Sequence, residues 1–353
     1  MQRAGKRTGV LLGLVRLVVC AAFILSCGPG PGQQLATAIE NGDTATAVAL
    51  LKEGAPIDQK LPGSNTLLMA ASAKGQLEVV KALLERGAAV DDQNFDGATA
   101  LALAASGGHS DVVQALLDGG ASVDRADVEG KTPLVRAAAA GSTPAVRVLL
   151  ERGAKVDAAD HGSQTALMLA AGAGHADTVA LLLEHKANPN ARDVEERTAL
   201  MIAAAGGHTE AVRHLLEAGA DPALAAKDRT TALMRAAEAG HLPAVELLIA
   251  AKAPVNAKDP MDRTALMRAA ENGHLPVLQA LVKAKAEVNA VDKSQQTALL
   301  WAALRGHTEC VRFLLENKAD YRAQDANGWT ALDWARSKGH AETVALLENP
   351  PKR

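Results

Sequence analysis

Histidine is the residue type whose spacing in this chain most strongly suggests a chemical role. The 353-residue sequence contains ten histidines, and imidazole can ligate a metal ion or act as a general acid or base. Seven of them fall at one position of a 33-residue period: His109, His175, His208, His241, His274, His307 and His340. Equivalent side chains on adjacent packed helices lie about 8–10 Å apart, whereas zinc needs nitrogens at about 2.0–2.1 Å. The array therefore predicts no metal site, and we expect each imidazole to bond to backbone at a turn before a helix.

Other catalytic patterns do not occur in the sequence. It contains no Cys-x-x-Cys, no Gly-x-Ser-x-Gly and no phosphate-binding glycine loop after a strand. Triplets such as His307-Thr308-Glu309 follow from the period itself. The three cysteines, Cys20, Cys27 and Cys310, offer no disulfide framework. We therefore predict a protein without enzymatic activity, cofactor or metal.

The period is marked by two residue series that run through most of the chain. Threonine recurs every 33 residues at Thr66, Thr99, Thr132, Thr165, Thr198, Thr231, Thr264, Thr297 and Thr330. Glycine recurs with the same spacing at Gly42, Gly75, Gly108, Gly141, Gly174, Gly207, Gly240, Gly273, Gly306 and Gly339. A fixed period of this length predicts a solenoid, in which each unit buries its apolar face only against its neighbours.

Each period contains the signals for two helices. The first carries a leucine and an alanine pair, small enough for close packing of the next unit. The second begins with an acid or a proline, such as Glu78 or Pro144, and both suit the first turn of a helix. Glycine then ends it, as at Gly87 and Gly120. Connectors turn with Asp or Asn first and Gly fourth at Asn94 to Gly97, Asp127 to Gly130 and Asp325 to Gly328, which is typical of a type I turn.

These motifs resemble the ankyrin repeat. The family's threonine-proline-leucine start is found at Thr132-Pro133-Leu134, and it is more often Thr-Ala-Leu-Met, as at Thr165 to Met168. The glycine-histidine step, the paired leucines and the glycine-alanine close follow in register, as at Gly108-His109, Leu116-Leu117 and Gly120-Ala121. The resemblance implies a mainly α solenoid of about ten 33-residue helix-turn-helix units joined by short hairpin-like turns. It also implies protein binding on a concave face and at the turn tips.

The sequence divides into one repeat domain and short flanking segments. We predict an ankyrin repeat domain over residues 35–348, with the first and last of ten repeats acting as caps, and a tail over 349–353. Residues 1–26 have a basic start, an apolar stretch interrupted by Arg16 and small residues before Cys27, and this pattern predicts an export signal. The signal resembles that of a bacterial lipoprotein, which implies lipid on Cys27 and a flexible linker over 27–34. An ordinary cleaved signal, or translation starting further downstream, stays open.

Charge argues against nucleic acid as the partner. The chain has a formal net charge of −3, and residues 1–26 contain four basic and no acidic side chains, so residues 27–353 carry −7. Phosphate neutralisation needs the opposite balance. We expect contact with a membrane only through the lipid anchor.

Candidate contact residues lie on the exposed side of the first helices and in the turns. Positions four, seven and eight after each threonine share one helical face. The predicted contacts are Arg136, Arg235, Arg268, Trp301, Arg305 and Lys338 on that face, and Glu195, Arg197, Arg229 and Trp329 in the turns. Local pairs between these arginines and nearby glutamates are an equal alternative.

Aromatic residues concentrate near the C-terminus: Trp301, Phe313, Tyr321, Trp329 and Trp334. Tryptophan and arginine dominate the energetics of interfaces, although terminal repeats could also need large side chains to cover a core. We predict a monomeric, non-catalytic interaction scaffold in the bacterial envelope, an outer-membrane lipoprotein facing the periplasm, with an unidentified protein partner. A soluble periplasmic or secreted protein is the alternative location, and a secreted effector or a structural spacer the alternative function.

Overall fold

The computed structural model describes residues 29–349, which form twenty α-helices in ten consecutive pairs. The first helices of the pairs are α1 Pro31–Asn41, α3 Leu67–Ala73, α5 Ala100–Ser106, α7 Pro133–Ala139, α9 Ala166–Gly172, α11 Ala199–Gly206, α13 Ala232–Ala239, α15 Ala265–Glu271, α17 Ala298–Arg305 and α19 Ala331–Lys338. The second helices are α2 Thr44–Lys52, α4 Leu77–Glu85, α6 Ser110–Asp118, α8 Thr143–Glu151, α10 Ala176–Glu184, α12 Thr209–Glu217, α14 Leu242–Ala250, α16 Leu275–Lys283, α18 Thr308–Glu316 and α20 Ala341–Glu348. The described segment contains no strand longer than an isolated bridge, and the mainly α prediction is confirmed.

The recurring threonines cap the first helices. Each threonine hydroxyl accepts a hydrogen bond from the backbone N–H three residues later, at 3.1 Å in Thr66 and 3.4 Å in Thr297. The threonine itself is extended, with ψ of 164° at Thr165, as a residue before a helix should be. Such a cap contributes about 1 kcal/mol per helix, so the threonine series sets where each repeat begins.

The helices form two layers, because each first helix packs on the next first helix and each second helix on the next second helix. The alanine pairs, such as Ala203 and Ala204, are fully buried between first helices. The leucine and valine stripe of the second helices, represented by Val212 and Leu215, is equally buried. One continuous core therefore runs along the solenoid, and every repeat contributes the same positions to it.

The second helices begin and end as the sequence predicts, with one exception. Glycine in the left-handed region follows the helix at Gly87, with φ of 78°, and at Gly219, with φ of 87°. In four repeats a lysine adopts this conformation instead, with φ between 63° and 67°: Lys186, Lys252, Lys285 and Lys318. These lysines hold a backbone conformation that favours glycine.

The ends of the domain differ slightly from the predicted boundaries. Helix α1 begins at Pro31, so the last four residues of the predicted 27–34 linker form its first turn. Proline suits that position because its missing N–H would be unpaired in any case. Polar residues of the first repeat, including Glu40 and Asp43, are exposed, as a cap requires. Cys27, the predicted signal over 1–26 and most of the 349–353 tail lie outside the described residues. Residues 29–349 include no helix of the length and hydrophobicity that a membrane span needs.

Candidate protein-binding surface

The turns and the first helices line a common surface. At its N-terminal end an open groove of about 500 Å³ is bordered by Leu61, Asn65 and Asp96 from the turns and by Ala70 and Leu103 from α3 and α5. Turn and helix residues from two successive repeats thus face the same space. We call the exposed side of the first helices, with positions four, seven and eight after each threonine, the first-helix face.

An aspartate organises most of the turns. It stands five residues before the threonine, and its Oδ1 accepts the backbone N–H groups two and four residues later. In Asp259 these distances are 2.7 Å to Met261 N and 2.9 Å to Arg263 N. Equivalent pairs of bonds occur at Asp127, Asp160, Asp193, Asp292 and Asp325, and Asn94 forms the same turn in the third repeat.

The second oxygen of several of these aspartates binds a side chain of the first helix nine residues later. Arg136 Nε donates to Asp127 Oδ2 at 2.9 Å. The indole Nε1 of Trp301 donates to Asp292 Oδ2 at 3.1 Å, and that of Trp334 to Asp325 Oδ2 at 3.0 Å. The aspartates are buried, so each arginine or tryptophan satisfies a carboxylate that is withdrawn from water.

These hydrogen bonds also lower the pKa of several turn aspartates and so favour their ionised form. Burial by itself raises the pKa of Asp259, but the backbone N–H groups of Arg263 and Met261 and the guanidinium of Arg268 bring its pKa below the ordinary value. The pKa values of Asp127 and Asp325 are lowered in the same way, against the effect of burial, by backbone N–H groups and by Arg136 and Trp334 respectively. The turns therefore hold ionised carboxylates at neutral pH.

Arg268 does not lie on the contact surface that the sequence predicts for it. It is only 6 % exposed, and its Nη2 donates to Asp259 Oδ2 at 2.7 Å while Nη1 donates to Glu238 Oε2 of the preceding repeat at 2.6 Å. A guanidinium held by two carboxylates and buried in this way stabilises the junction of two repeats. Arg268 is therefore engaged within the chain and is not free to contact a partner.

Three other predicted contacts are also engaged within the chain. Arg136 binds buried Asp127 and is about a quarter exposed, and Arg235 binds Asp228 at 2.7 Å. Trp301 is half-buried against the core. Their functional groups already have partners, so the alternative of local pairing describes them better than contact with another protein.

The C-terminal repeats keep an exposed aromatic and cationic cluster. Trp329 is 39 % exposed, and its ring centroid lies 4.8 Å from that of half-buried Trp334. The Lys338 ammonium lies 5.9 Å from the centroid of the Trp334 ring. Arg305 is exposed one repeat earlier and pairs with Glu271 at 2.7 Å. We call Trp329, Trp334, Lys338 and Arg305 the C-terminal cluster.

The predicted contacts in the central turns are exposed to different degrees. Glu195 and Arg229 are exposed, and Arg229 has φ of 56° at the fourth position of its turn. Arg197 is half-buried, and its Nε donates to Asp193 Oδ2 at 2.8 Å. Glu195 and Arg229 therefore remain available to a partner.

The histidine series joins successive repeats. In all seven, Nε2 donates to the carbonyl of the residue 36 positions earlier, near the end of the preceding first helix. The distance is 3.1 Å from His241 to Ala205 O and 3.0 Å from His208 to Gly172 O. A carbonyl only accepts, so Nε2 carries the proton. The expectation of histidine bonded to backbone is confirmed.

Within the described part of the chain, the Cys310 thiol and the possible metal ligands outside the histidine series show no feature of a reactive site. Burial, helped by the nearby Glu309 carboxylate, raises the pKa of the Cys310 thiol to about 11, which keeps it protonated and unreactive at neutral pH. Residues 29–349 contain no group of three or more histidine, cysteine or acidic side chains placed to hold a metal ion.

The turn aspartates are the feature that the sequence interpretation missed. Asp or Asn was recognised as the first residue of a turn, but not as a buried acceptor for the residue nine positions later. The signal was present, since Asp127, Asp292 and Asp325 each have an Arg or Trp at that distance. The residue nine positions after Asp160 is Leu169, whose side chain cannot donate a hydrogen bond to that carboxylate.

Two layers of paired helices, joined by hydrogen-bonded turns that line an open face, define a helical solenoid with an extended interaction surface. Family models described as "Ankyrin repeats (3 copies)" match residues 35–127, 68–160, 156–226, 221–292 and 266–351. The chain therefore belongs to the ankyrin repeat family, whose repeats generally mediate protein–protein interaction.

Solved structures agree with this assignment. The crystal structure of the human ASB11 ankyrin repeat domain has a TM-score of 0.58 and 29% sequence identity to this chain. The match covers 63% of this chain and 99% of that domain. No curated protein matches the sequence significantly.

Proposed function

We propose that this chain is a protein-binding scaffold without catalysis of its own, held at a bacterial envelope membrane by lipid on Cys27. The exposed C-terminal cluster is the observation that carries the binding role. Trp329 presents an exposed aromatic surface next to Trp334, and the Lys338 ammonium lies over the Trp334 ring. Tryptophan and arginine, the residue types of Trp329 and Arg305, are enriched among the residues that carry most of the binding energy of protein interfaces.

The proposed location depends on the N-terminal sequence. A basic start, a short apolar stretch and Cys27 after a small residue suit lipid attachment on export. Stable anchoring needs two or more membrane signals, and a lipoprotein carries more than one acyl chain. An outer-membrane lipoprotein facing the periplasm fits these features, and the partner would then lie in the envelope.

Crosslinking in intact cells tests the binding role. A photoreactive residue in place of Lys338 should give a discrete adduct with another protein, and the adduct should saturate as expression rises. The same residue in place of Glu246, which is exposed on helix α14 of the opposite layer, is the control and should give none. Equal, diffuse labelling from both positions would favour a structural spacer instead.

Fractionation tests the location. Cys27→Ala should release the protein from the membrane fraction or block its processing. A mutant that still partitions with membranes as the unaltered protein does would refute the lipid anchor. Recovery of the unaltered protein from the medium would instead support a secreted effector.

A further inference from the structure

Four consecutive turns expose a side chain at the same position, and three of these four side chains are apolar. The second residue of the turn is Phe95, Val128, His161 and Val194 in the third to sixth repeats. Phe95 is 80 % exposed, Val128 62 % and Val194 54 %, and His161 is also exposed. Apolar side chains exposed in register over neighbouring repeats are unlike the single surface apolar residues of ordinary proteins. We call these four residues the tip row.

Carboxylates accompany the apolar side chains. The third residue of the same turns is Asp96, Glu129 and Glu195, all exposed, with Gly162 between them. Glu129 pairs with Lys131 at 2.6 Å. The carboxylates of Asp96 and Glu195 form no ion pair with any side chain of residues 29–349. An apolar row edged by free acids is complementary to apolar groups flanked by cations.

The backbone holds the tip row rigidly. The N–H of each second residue donates to the carbonyl of the third residue one repeat earlier, at 3.0 Å from Val128 to Asp96 and 3.1 Å from Val194 to Gly162. The turns also pack closely, since a β-carbon on Gly97 would lie 2.8 Å from Val128 N. A turn backbone fixed in this way loses little freedom when a partner binds.

The pattern stops after the sixth repeat. The second turn residues there are Lys227, Pro260, Lys293 and Ala326, so lysine, proline and alanine replace phenylalanine, valine and histidine. The backbone ladder itself continues, with Lys227 N donating to Glu195 O at 2.9 Å, and it is interrupted at Pro260, which has no N–H. The tip row is therefore a bounded surface, and it is chemically distinct from the turns that follow it.

The first-helix face beside the tip row is apolar except at Arg136 of the fourth repeat, which pairs with Asp127. Leu103, Leu169 and Ile202 are half-buried at this position in the third, fifth and sixth repeats. Exposed Ala139 and Ala205 lie one turn further along their helices. Small side chains at these positions leave room for a partner element to approach the backbone.

We propose that the tip row binds an amphipathic α-helix of the partner protein, with an apolar residue every seventh position and Lys or Arg beside it. Successive repeats lie about 8–10 Å apart, and seven helical residues rise about 10.5 Å and return to nearly the same face. Three strand residues cover a similar distance but end on opposite faces. The proposal rests on the protein-binding role proposed above and specifies the partner's chemistry.

Two fluorescein-labelled helical peptides, each about three heptads or roughly 32 Å long, serve as probes. Both carry leucine at the apolar heptad positions, and the flanking positions are lysine in one peptide and glutamate in the other. Fluorescence anisotropy measures their binding to the full chain carrying Cys27→Ser, which removes the thiol that lipid would modify. The lysine peptide should saturate and bind at least about tenfold more tightly than the glutamate peptide.

Three variants locate the binding. The triple variant Phe95→Ser, Val128→Ser, Val194→Ser should bind the lysine peptide at least about tenfold more weakly. The triple variant Asp96→Asn, Glu129→Gln, Glu195→Gln should show a smaller difference in affinity between the lysine and glutamate peptides. Lys293→Ser with Ala326→Ser, at the same turn position in later repeats, is the control and should change affinity less than about twofold. Because all these residues are exposed, unchanged circular dichroism confirms that the variants are folded.

Several results would overturn the proposal. Equal binding of both peptides would do so, and so would unchanged binding of the lysine peptide to the serine triple variant. Displacement of the lysine peptide by a peptide of residues 1–26 would show that the tip row binds this chain's own N-terminus. Tip-row-dependent sedimentation with anionic lipid vesicles would assign the surface to a membrane. If neither peptide binds while the Lys338 crosslink still forms, the helix proposal fails and the scaffold role stands.

Discussion

The imidazole of His241 lies directly against the α-carbon of Gly207. A β-carbon built on Gly207 would lie 2.6 Å from His241 Nδ1. A β-carbon built on Gly174 or Gly273 would lie at the same distance from Nδ1 of His208 or His307, respectively. Two features therefore favour glycine at position 207 over any other residue. Its φ is 70°, in the left-handed region, and the histidine of the next repeat occupies the space where a side chain would stand.

Gly207→Ala should consequently destabilise the protein by more than backbone strain alone. A non-glycine residue in this conformation costs about 1–2 kcal/mol, and displacing His241 should bring the total to about 2–4 kcal/mol. Gly108→Ala is a matched control: its φ is 75°, but its neighbour in the next repeat is Ser142, with Oγ 3.3 Å from the built β-carbon. Urea unfolding should show the larger loss at Gly207. Equal losses would mean that the histidine yields without cost.

The four lysines with positive φ should be sites of easy stabilisation. Lys186, Lys252, Lys285 and Lys318 occupy the position where other repeats have glycine. Replacing any one of them with glycine should raise the free energy of unfolding by about 0.5–1 kcal/mol, because it relieves left-handed strain. Lys81→Gly, inside helix α4, should instead lower it by about 1 kcal/mol. Melting curves that fall for both kinds of substitution would contradict the strain argument.

The turn carboxylates should make the protein sensitive to acid. The pKa of Asp259 is lowered in the folded state from an ordinary value of 3.8, so its contribution to stability is complete above that value and is lost as the pH falls through the lower folded pKa. Urea unfolding should therefore show stability declining below about pH 4. Asp259→Asn should lower stability at pH 7 and flatten this decline. An unchanged acid profile in the variant would show that other groups control it.

The connectors that follow helices α12 and α14 lack a hydrogen bond that the neighbouring connectors form. In the neighbouring connectors, Asn190 Oδ1 accepts a hydrogen bond from Asp221 N at 2.8 Å, and Asn256 Oδ1 accepts one from Glu287 N at 2.9 Å. The equivalent residues between them are Ala223 and Pro254, which supply neither acceptor nor donor. Ala223→Asn combined with Pro254→Asp should restore the bond.

A double-mutant cycle measures this restoration. The two changes together should be more favourable than the sum of the single changes by about 1 kcal/mol, the net value of one such hydrogen bond. Asn190→Ala, which removes the bond at an intact junction, should cost a similar amount. Additive single effects at 223 and 254 would show that the repeats are too far apart there to pair.

Trp301 and Trp329 are both predicted contacts, but their replacement by alanine should have different effects on stability. Trp301 is half-buried and donates to Asp292, so Trp301→Ala should lower stability by about 2–3 kcal/mol. Trp329→Ala should cost at most about 1 kcal/mol, the value of its stacking on Trp334. If the C-terminal cluster is an interface, the same change should weaken partner binding about thirtyfold, or ~2 kcal/mol. A large drop in melting temperature for Trp329→Ala would assign it to the core.

The sequence by itself determined the architecture. The threonine, glycine and histidine series have one period, and a period can be satisfied only if each unit packs on its neighbour in the same way. The helix starts at Thr66 and its equivalents, the glycine ends and the role of the histidines followed from local capping and from register. These features depend on contacts that repeat, so that one unit predicts the rest.

Only the tertiary structure decided which surface side chains are free. The sequence predicts an outward-facing side chain at position four after each threonine, so that Arg136, Arg268 and Trp301 are equally good candidates for contact. Folding brings the turn aspartate nine residues earlier back onto that position, and Arg268 also receives Glu238 from the preceding repeat. The structure likewise aligned Phe95, Val128 and Val194 in one rigid row. Such contacts depend on the distance between turn and helix in space, which the spacing of residues along the chain does not specify.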